Sequence, residues 1–220
     1  MAPSPSSAIC VNSWERPMAR QAGRNERRRG RRGRIVGRRE VRQRFLIVCE
    51  GGKTEPGYFR SFQVPGMVVE IRSTTHRGLA LINEAIQRRT QDEYDQIWCV
   101  FDRDDLPDAV IRQAFNHARR EDINIAFSNQ AFELWYLLYF AYYNTAMMRH
   151  QYSSLLSSHL GCTYTKNSTN MYTILLGRQA TAINHARRLY AQYSPWDPAT
   201  ADPSTTVHLL VEELNKHRRP

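Results

Sequence analysis

Phe45-Leu46-Ile47-Val48-Cys49-Glu50-Gly51-Gly52 is an apolar run that turns abruptly acidic and then flexible. A second run, Ile97-Trp98-Cys99-Val100-Phe101-Asp102-Arg103-Asp104-Asp105, ends in the same way. Apolar and β-branched residues without polar alternation read as strands buried on both faces, as in a parallel sheet under helices. Open α/β sheets carry their chemistry at the carboxyl ends of such strands. Glu50, Asp102 and Asp104 are thereby expected around one crevice as hard oxygen ligands, the kind of set that holds Mg²⁺ with several waters retained. The same acids also suit a plainer role, since carboxylates are common just past strands as helix N-caps and in solvated loops.

Working outward, Thr54-Glu55-Pro56 opens a helix that Thr54 can cap, with Pro56 suited to its first turn. Tyr58, Phe59 and Phe62 point inward, and Pro65-Gly66 ends the segment. A short strand is expected at Met67 to Ile71, then an amphipathic helix from Gly78 to Arg89 with Leu79, Ile82, Ala85 and Ile86 on one face. Ile97 to Phe101 is the next strand, Asp108 to Arg120 the next helix, and Ile123 to Phe127 a further strand. Such alternation with short connections argues for βαβ units.

Past Phe127 the pattern changes. Ala131 to Tyr143 reads as a helix that is apolar on nearly every side and therefore buried. A Ser/Tyr-rich segment follows, then a helix near Thr173 to Gln192, a Pro-rich loop from Ser194 to Pro203, and a last helix from Thr205 to His217. Ser204 or Thr205 is the expected cap of that last helix. The fold class is thus α/β, a mostly parallel sheet flanked by helices, with a C-terminal helical appendage. Three stretches are expected: a basic tail over residues 1–44, a catalytic core over 45–143, and the helical part of the same domain over 144–220.

The net charge of +10 lies wholly in the tail. Residues 1–44 hold thirteen arginines and three glutamates, whereas the remaining 18 basic and 18 acidic residues cancel. With few large apolar residues and a high net charge, the tail is expected to be disordered in isolation. Its Arg27-Arg28-Arg29-Gly30-Arg31-Arg32-Gly33-Arg34 block suits phosphate backbones without reading sequence. A non-specific solubilising arm or an over-long start is equally compatible with this composition. Cys10, Cys49, Cys99 and Cys162 are scattered, with no Cys-x-x-Cys, so neither a disulfide framework nor a zinc knuckle is suggested. A reducing, cytoplasmic compartment is expected, with no signal peptide. The longest apolar stretch, Ala131 to Tyr143, falls short of the roughly 20 residues that span a bilayer.

Gly51-Gly52-Lys53-Thr54 invites a P-loop reading, which fails because Ile47 stands where the first glycine is required. What remains is a flexible turn in which Lys53 can meet a phosphate or simply face solvent. Glu133 is a lone acid in an apolar helix and is costly to ionise unless paired or metal-bound. With Asn129 just before it, Glu133 can complete a metal site or position water. A salt bridge to an arginine such as Arg103, or a solvent-facing helix edge, is the structural alternative. The stripe Phe132, Trp135, Tyr136, Tyr139 reads as core rather than as a base-stacking platform.

These residues resemble the RloB-like family of bacterial phage-defence proteins, whose core looks like the Toprim fold. The resemblance rests on Cys49-Glu50-Gly51-Gly52-Lys53-Thr54-Glu55 with Tyr58-Phe59, and on Phe101-Asp102-Arg103-Asp104-Asp105. It continues in Ser128-Asn129-Gln130-Ala131-Phe132-Glu133-Leu134-Trp135, Tyr164-Thr165-Lys166-Asn167 and Asp202-Pro203-Ser204-Thr205-Thr206-Val207. Gln130 stands where the family usually has proline, and Tyr139 where it often has histidine. The resemblance implies a Toprim-type nuclease centre using Mg²⁺ or Mn²⁺. Glu50 then serves as general acid/base or ligand, Asp102 and Asp104 as ligands and Glu133 as a further catalytic acid. Lys53, Arg103, Asn129 and Lys166 are the implied phosphate- and substrate-binding residues. It further implies a nucleic-acid substrate, RNA such as tRNA in preference to DNA, and a partner ATPase, since the chain has no ATP-binding motif of its own. A catalytically silent Toprim-like binding module and nucleotide phosphotransfer at the same metal site are the alternatives.

Overall fold

The computed structural model describes residues 42–166, 168 and 170–218. The Arg-rich segment therefore lies outside the described residues up to position 41. Five strands form one sheet: β1 (Gln43–Glu50), β2 (Met67–Thr74), β3 (Gln96–Asp102), β4 (Asn124–Asn129) and β5 (Ser204–Thr205). Their order across the sheet is β2-β1-β3-β4-β5, with β1 to β4 parallel and β5 antiparallel to β4. Helices α1 (Thr54–Arg60), α2 (Leu79–Arg89) and α3 (Asp108–Arg120) make the crossovers. Then come α4 (Glu133–Leu137), α5 (Arg149–Leu160), α6 (Met171–Leu175), α7 (Gln179–Tyr190) and α8 (Val207–Lys216).

Strand alternation sorts the side chains into two cores. Leu46, Val48, Ile97, Cys99, Phe101 and Phe127 pack against Leu81, Ile82 and Ala85 of α2 and Ile111, Ala114 and Ala118 of α3. Phe45, Ile47, Cys49, Trp98, Val100 and Ala126 meet the opposite layer, built from α1 and the C-terminal helices. The central strands β1 and β3 are buried almost end to end, as a sheet covered on both faces requires. Residues 144–218 contribute Tyr152, Leu156, Leu175, Leu189 and Leu210 to the same core as α1, so the helical appendage and the sheet form one body.

Several local expectations are corrected. The apolar run from Ala131 is helical only over Glu133–Leu137, followed by tight turns to Phe140. There the Leu138 carbonyl meets His185 Nδ1 at 2.8 Å, and aromatic residues crowd the continuation. All of Ala131 to Tyr139 is nonetheless buried, including the Phe132, Trp135, Tyr136, Tyr139 stripe. The Ser/Tyr-rich segment contains α5, which buries Tyr152 and Leu156 and ends at Gly161 in the left-handed conformation (φ 68°). The helix expected near Thr173 to Gln192 is two, separated by a 3-10 turn, Leu176–Arg178, that contains Gly177. Thr54 does not cap α1: its hydroxyl donates to the Lys166 carbonyl at 3.3 Å. Ser204 and Thr205 form the edge strand β5, and Thr206 stands at the start of α8. Among the described residues no helix is long and apolar enough to cross a membrane.

Candidate functional site

In a sheet ordered β2-β1-β3, the chain leaves β1 to one side and returns on the other. The carboxyl ends of β1 and β3 therefore flank a topological switch point, where helices on opposite faces leave a gap. Glu50 is the last residue of β1 and Asp102 the last of β3. A crevice of about 230 Å³ opens there, lined by Glu50, Gly51, Gly52, Lys53, Thr54, Glu55, Asp102, Asp104, Arg149 and Lys166. A larger hollow, about 680 Å³, lies by Gln96, Ile97 and Asn124, where β3 and β4 begin. That edge is not where parallel sheets place their chemistry.

The floor of the crevice is acidic. Asp102 is 8% exposed, and its Oδ1 has no hydrogen-bond partner among the described residues. Burial first, then the charges of Glu55, Glu133 and Glu50, push its pKa well above the ordinary carboxylate range, while the Phe132 N–H pulls the other way. Glu55, in the first turn of α1, is pushed up to about 7, chiefly by burial and in part by Glu133 and Glu50. Glu50 is also raised by burial, against the pull of Arg77, and its Oε2 lacks a partner. Glu133 is 2% exposed; it accepts a hydrogen bond from the Tyr164 hydroxyl at 3.2 Å and pairs with Lys166 Nζ at 3.6 Å.

The loop after β3 sets the height of Asp104. Its φ is 45°, in the left-handed region that an aspartate tolerates better than most residues. Backbone bonds from Arg103 N to Ser128 O (2.9 Å) and from Asp104 N to Gln130 O (3.2 Å) tie this loop to the end of β4. Asp104 then meets two arginines from elsewhere in the chain. Arg77, in the loop between β2 and α2, reaches Glu50 Oε1 with Nε at 2.5 Å and Asp104 Oδ2 with Nη2 at 2.9 Å. Arg149, the first residue of α5, takes the other Asp104 oxygen.

Glu50, Lys53, Asp102, Asp104 and Lys166, all singled out from sequence, are brought together in one crevice, and Glu133 lies buried beside it through Lys166. Two others are not. The Arg103 guanidinium bonds to Asp108 (2.6 Å) and the Ala199 carbonyl, and the Asn129 amide donates to the Ala201 carbonyl at 2.8 Å rather than to Glu133. The partner of Glu133 is a lysine and a tyrosine, not Arg103. Sequence reasoning missed Glu55, Arg77, Arg149 and Tyr164. Arg77 was within reach of that reasoning, because the loop after any parallel strand lies at the same sheet edge. Arg149 was not, since it stands in a segment whose helix was not foreseen.

Three or more close carboxylates repel one another and are tolerated with cations or protons between them. The donor set is one of hard oxygens, and the unpartnered Oε2 of Glu50 and Oδ1 of Asp102 are the atoms such a cation would satisfy. As the side chains are placed, however, no three His, Cys, Asp or Glu groups among the described residues form a metal-holding cluster. Oxygens of Glu50 and Asp104 are held instead by Arg77 and Arg149. The chemistry of the set fits a divalent cation.

A family model described as RloB-like protein matches residues 45–214, which contain every residue of the crevice. No curated protein and no solved structure gives a significant match.

Proposed function

Because this chain belongs to the RloB-like protein family, we propose that its crevice is the centre of a metal-dependent nuclease, one that cleaves RNA in anti-phage defence when a partner ATPase activates it. The observation that carries this reading is Asp102: a nine-tenths-buried carboxylate with an unpartnered oxygen, at the switch point, among Glu50, Glu55 and Glu133. Such a group is stable only with a proton or a cation. Asp102, Glu50 and Asp104 would hold Mg²⁺ or Mn²⁺, and the ion supplies polarisation of a phosphoryl oxygen and stabilisation of the leaving oxygen. Lys53 and Lys166 line the mouth of the crevice and bring positive charge to a bound phosphate. Glu55, in the first turn of α1 and lining the same crevice, is placed to take up or return a proton at its carboxylate. The preference for RNA and the ATPase partner rest on the family resemblance; the geometry of the crevice suits any phosphodiester.

One observation favours a second reading, a silent nucleic-acid- or partner-binding module: Arg77 and Arg149 already satisfy much of Glu50 and Asp104. Incubation of labelled tRNA and DNA with the full-length protein and Mg²⁺ or Mn²⁺, with and without an ATPase encoded beside it, separates the two. Cleavage that EDTA stops and Asp102→Asn abolishes supports the nuclease. Binding without cleavage under every condition supports the module.

A further inference from the structure

We propose that Arg77 and Arg149 are exchange residues: they hold Glu50 and Asp104 when no divalent cation is bound, and pass to the phosphate oxygens of the nucleic acid once those carboxylates engage a cation. This rests on the metal-dependent reading above and assigns it two substrate-phosphate ligands.

Three observations and one chemical match carry it. Both guanidiniums reach the crevice from segments remote from its acidic floor, the β2–α2 loop and the start of α5. They form its outer layer: Arg77 and Arg149 side chains are 39% and 42% exposed, against 15% and 27% for Glu50 and Asp104. Ion pairs this accessible are weak, so exchanging partners costs little. The arginines also leave the buried Asp102 unanswered, since its Oδ1 has no partner among the described residues while both oxygens of Asp104 are taken. Finally, guanidinium is the side chain best matched to phosphate, which it grips with two parallel N–H bonds.

The Nε–Nη2 edge of Arg77, taken up by Glu50 and Asp104, cannot at the same time grip a phosphate with its two parallel N–H bonds. Cation binding at Glu50 and Asp104 therefore frees phosphate-binding capacity, and phosphate binding frees the carboxylates. The two ligands must help each other by the same factor. The arrangement makes nucleic-acid affinity at the crevice conditional on the cation.

The test uses the full-length protein, with Mn²⁺ binding followed by electron paramagnetic resonance and a labelled oligoribonucleotide followed by anisotropy. Ca²⁺ serves as the supporting, non-cleaving ion, and high salt suppresses binding by the Arg-rich segment. Arg77→Gln and Arg149→Gln should each bind Mn²⁺ about fivefold more tightly, because a competing cation is removed. Each should bind the RNA with Ca²⁺ about tenfold more weakly. Arg77→Lys, which keeps the charge and loses the fork, should recover Mn²⁺ affinity toward wild type and only part of the RNA affinity. Opposite signs for the two ligands are the signature, because a merely structural role would weaken both. Variants that leave Mn²⁺ affinity unchanged, or weaken both ligands, overturn the exchange while the nuclease reading stands. A wild-type protein that binds no Mn²⁺ overturns both.

Discussion

Glu50 and Asp102 line one crevice although strand alternation assigns them to opposite faces of the sheet. Glu50 shares parity with Leu46 and Val48, which pack on α2 and α3, and Asp102 shares parity with Trp98 and Val100 of the other core. They come together because each is the last residue of its strand, at the point where the chain departs in opposite directions. Each is the last ladder position of its strand, paired with Thr74 and Ser128, and the switch point leaves a gap there that both carboxylates line. The consequence is a floor of acids with raised pKa values beneath a rim of Lys53, Arg77, Arg149 and Lys166.

Asp102→Asn should lower metal-dependent cleavage by about a hundredfold or more, since a ligand to the ion is lost. The same change removes a buried charge, so in EDTA at pH 7.5 the variant should be more stable than wild type by about 1 kcal/mol. Chemical denaturation with and without Mg²⁺ reads both arms. A destabilised variant that still cleaves would refute the role given to Asp102.

Stability in EDTA should fall as pH rises from about 4.5 to 7. Glu55 has a folded pKa of about 7, above its ordinary value of 4.5, so its contribution is complete below 4.5 and lost as pH climbs through 7. Glu50 and Asp102 are raised too and act in the same sense. His208 opposes them: burial lowers it to about 4, so its contribution is present above 6.5 and lost toward 4. Subtracting the melting profile of Glu55→Gln from that of wild type cancels His208. The difference should decline with rising pH, and a flat difference would remove Glu55 from the coupled floor.

Lys166→Met should cost about 1 kcal/mol at pH 7.5, a modest figure because the lysine is 57% exposed and its pairing with Glu133 is screened. Among the described residues the buried Glu133 then keeps only the Tyr164 hydroxyl as partner. Adding Glu133→Gln should restore most of the loss, because an amide needs no counter-charge. Simple additivity of the two changes would show that the pair is not coupled.

Deleting residues 1–40 should weaken nucleic-acid affinity and flatten its salt dependence, because the segment carries +8 of the chain's net charge of +10. Anisotropy titrations across a salt series measure both. An unchanged slope would mean that the arginines do not contact phosphate.

The sequence alone determined the α/β class, the four parallel strands, the first three helices and the acids Glu50, Asp102 and Asp104. Those features are local: apolar runs mark buried strands, a 3.6-residue period marks α2 and α3, and an acid just past a strand lies at the carboxyl edge whatever the rest of the chain does. Tertiary structure alone decided where the apolar run from Ala131 stops being helical, since His185 from α7 reaches the Leu138 carbonyl. It also decided that two residues at Ser204–Thr205 become an edge strand, because β4 offers an open ladder there. The partners of the acids were equally out of reach of sequence. Arg77 meets Asp104 across 27 positions and Arg149 meets it across 45. Glu55 acquires its near-neutral pKa only from burial and the field of Glu133 and Glu50. Charge and burial at a point are sums over everything folded around it, and no periodicity along the chain encodes them.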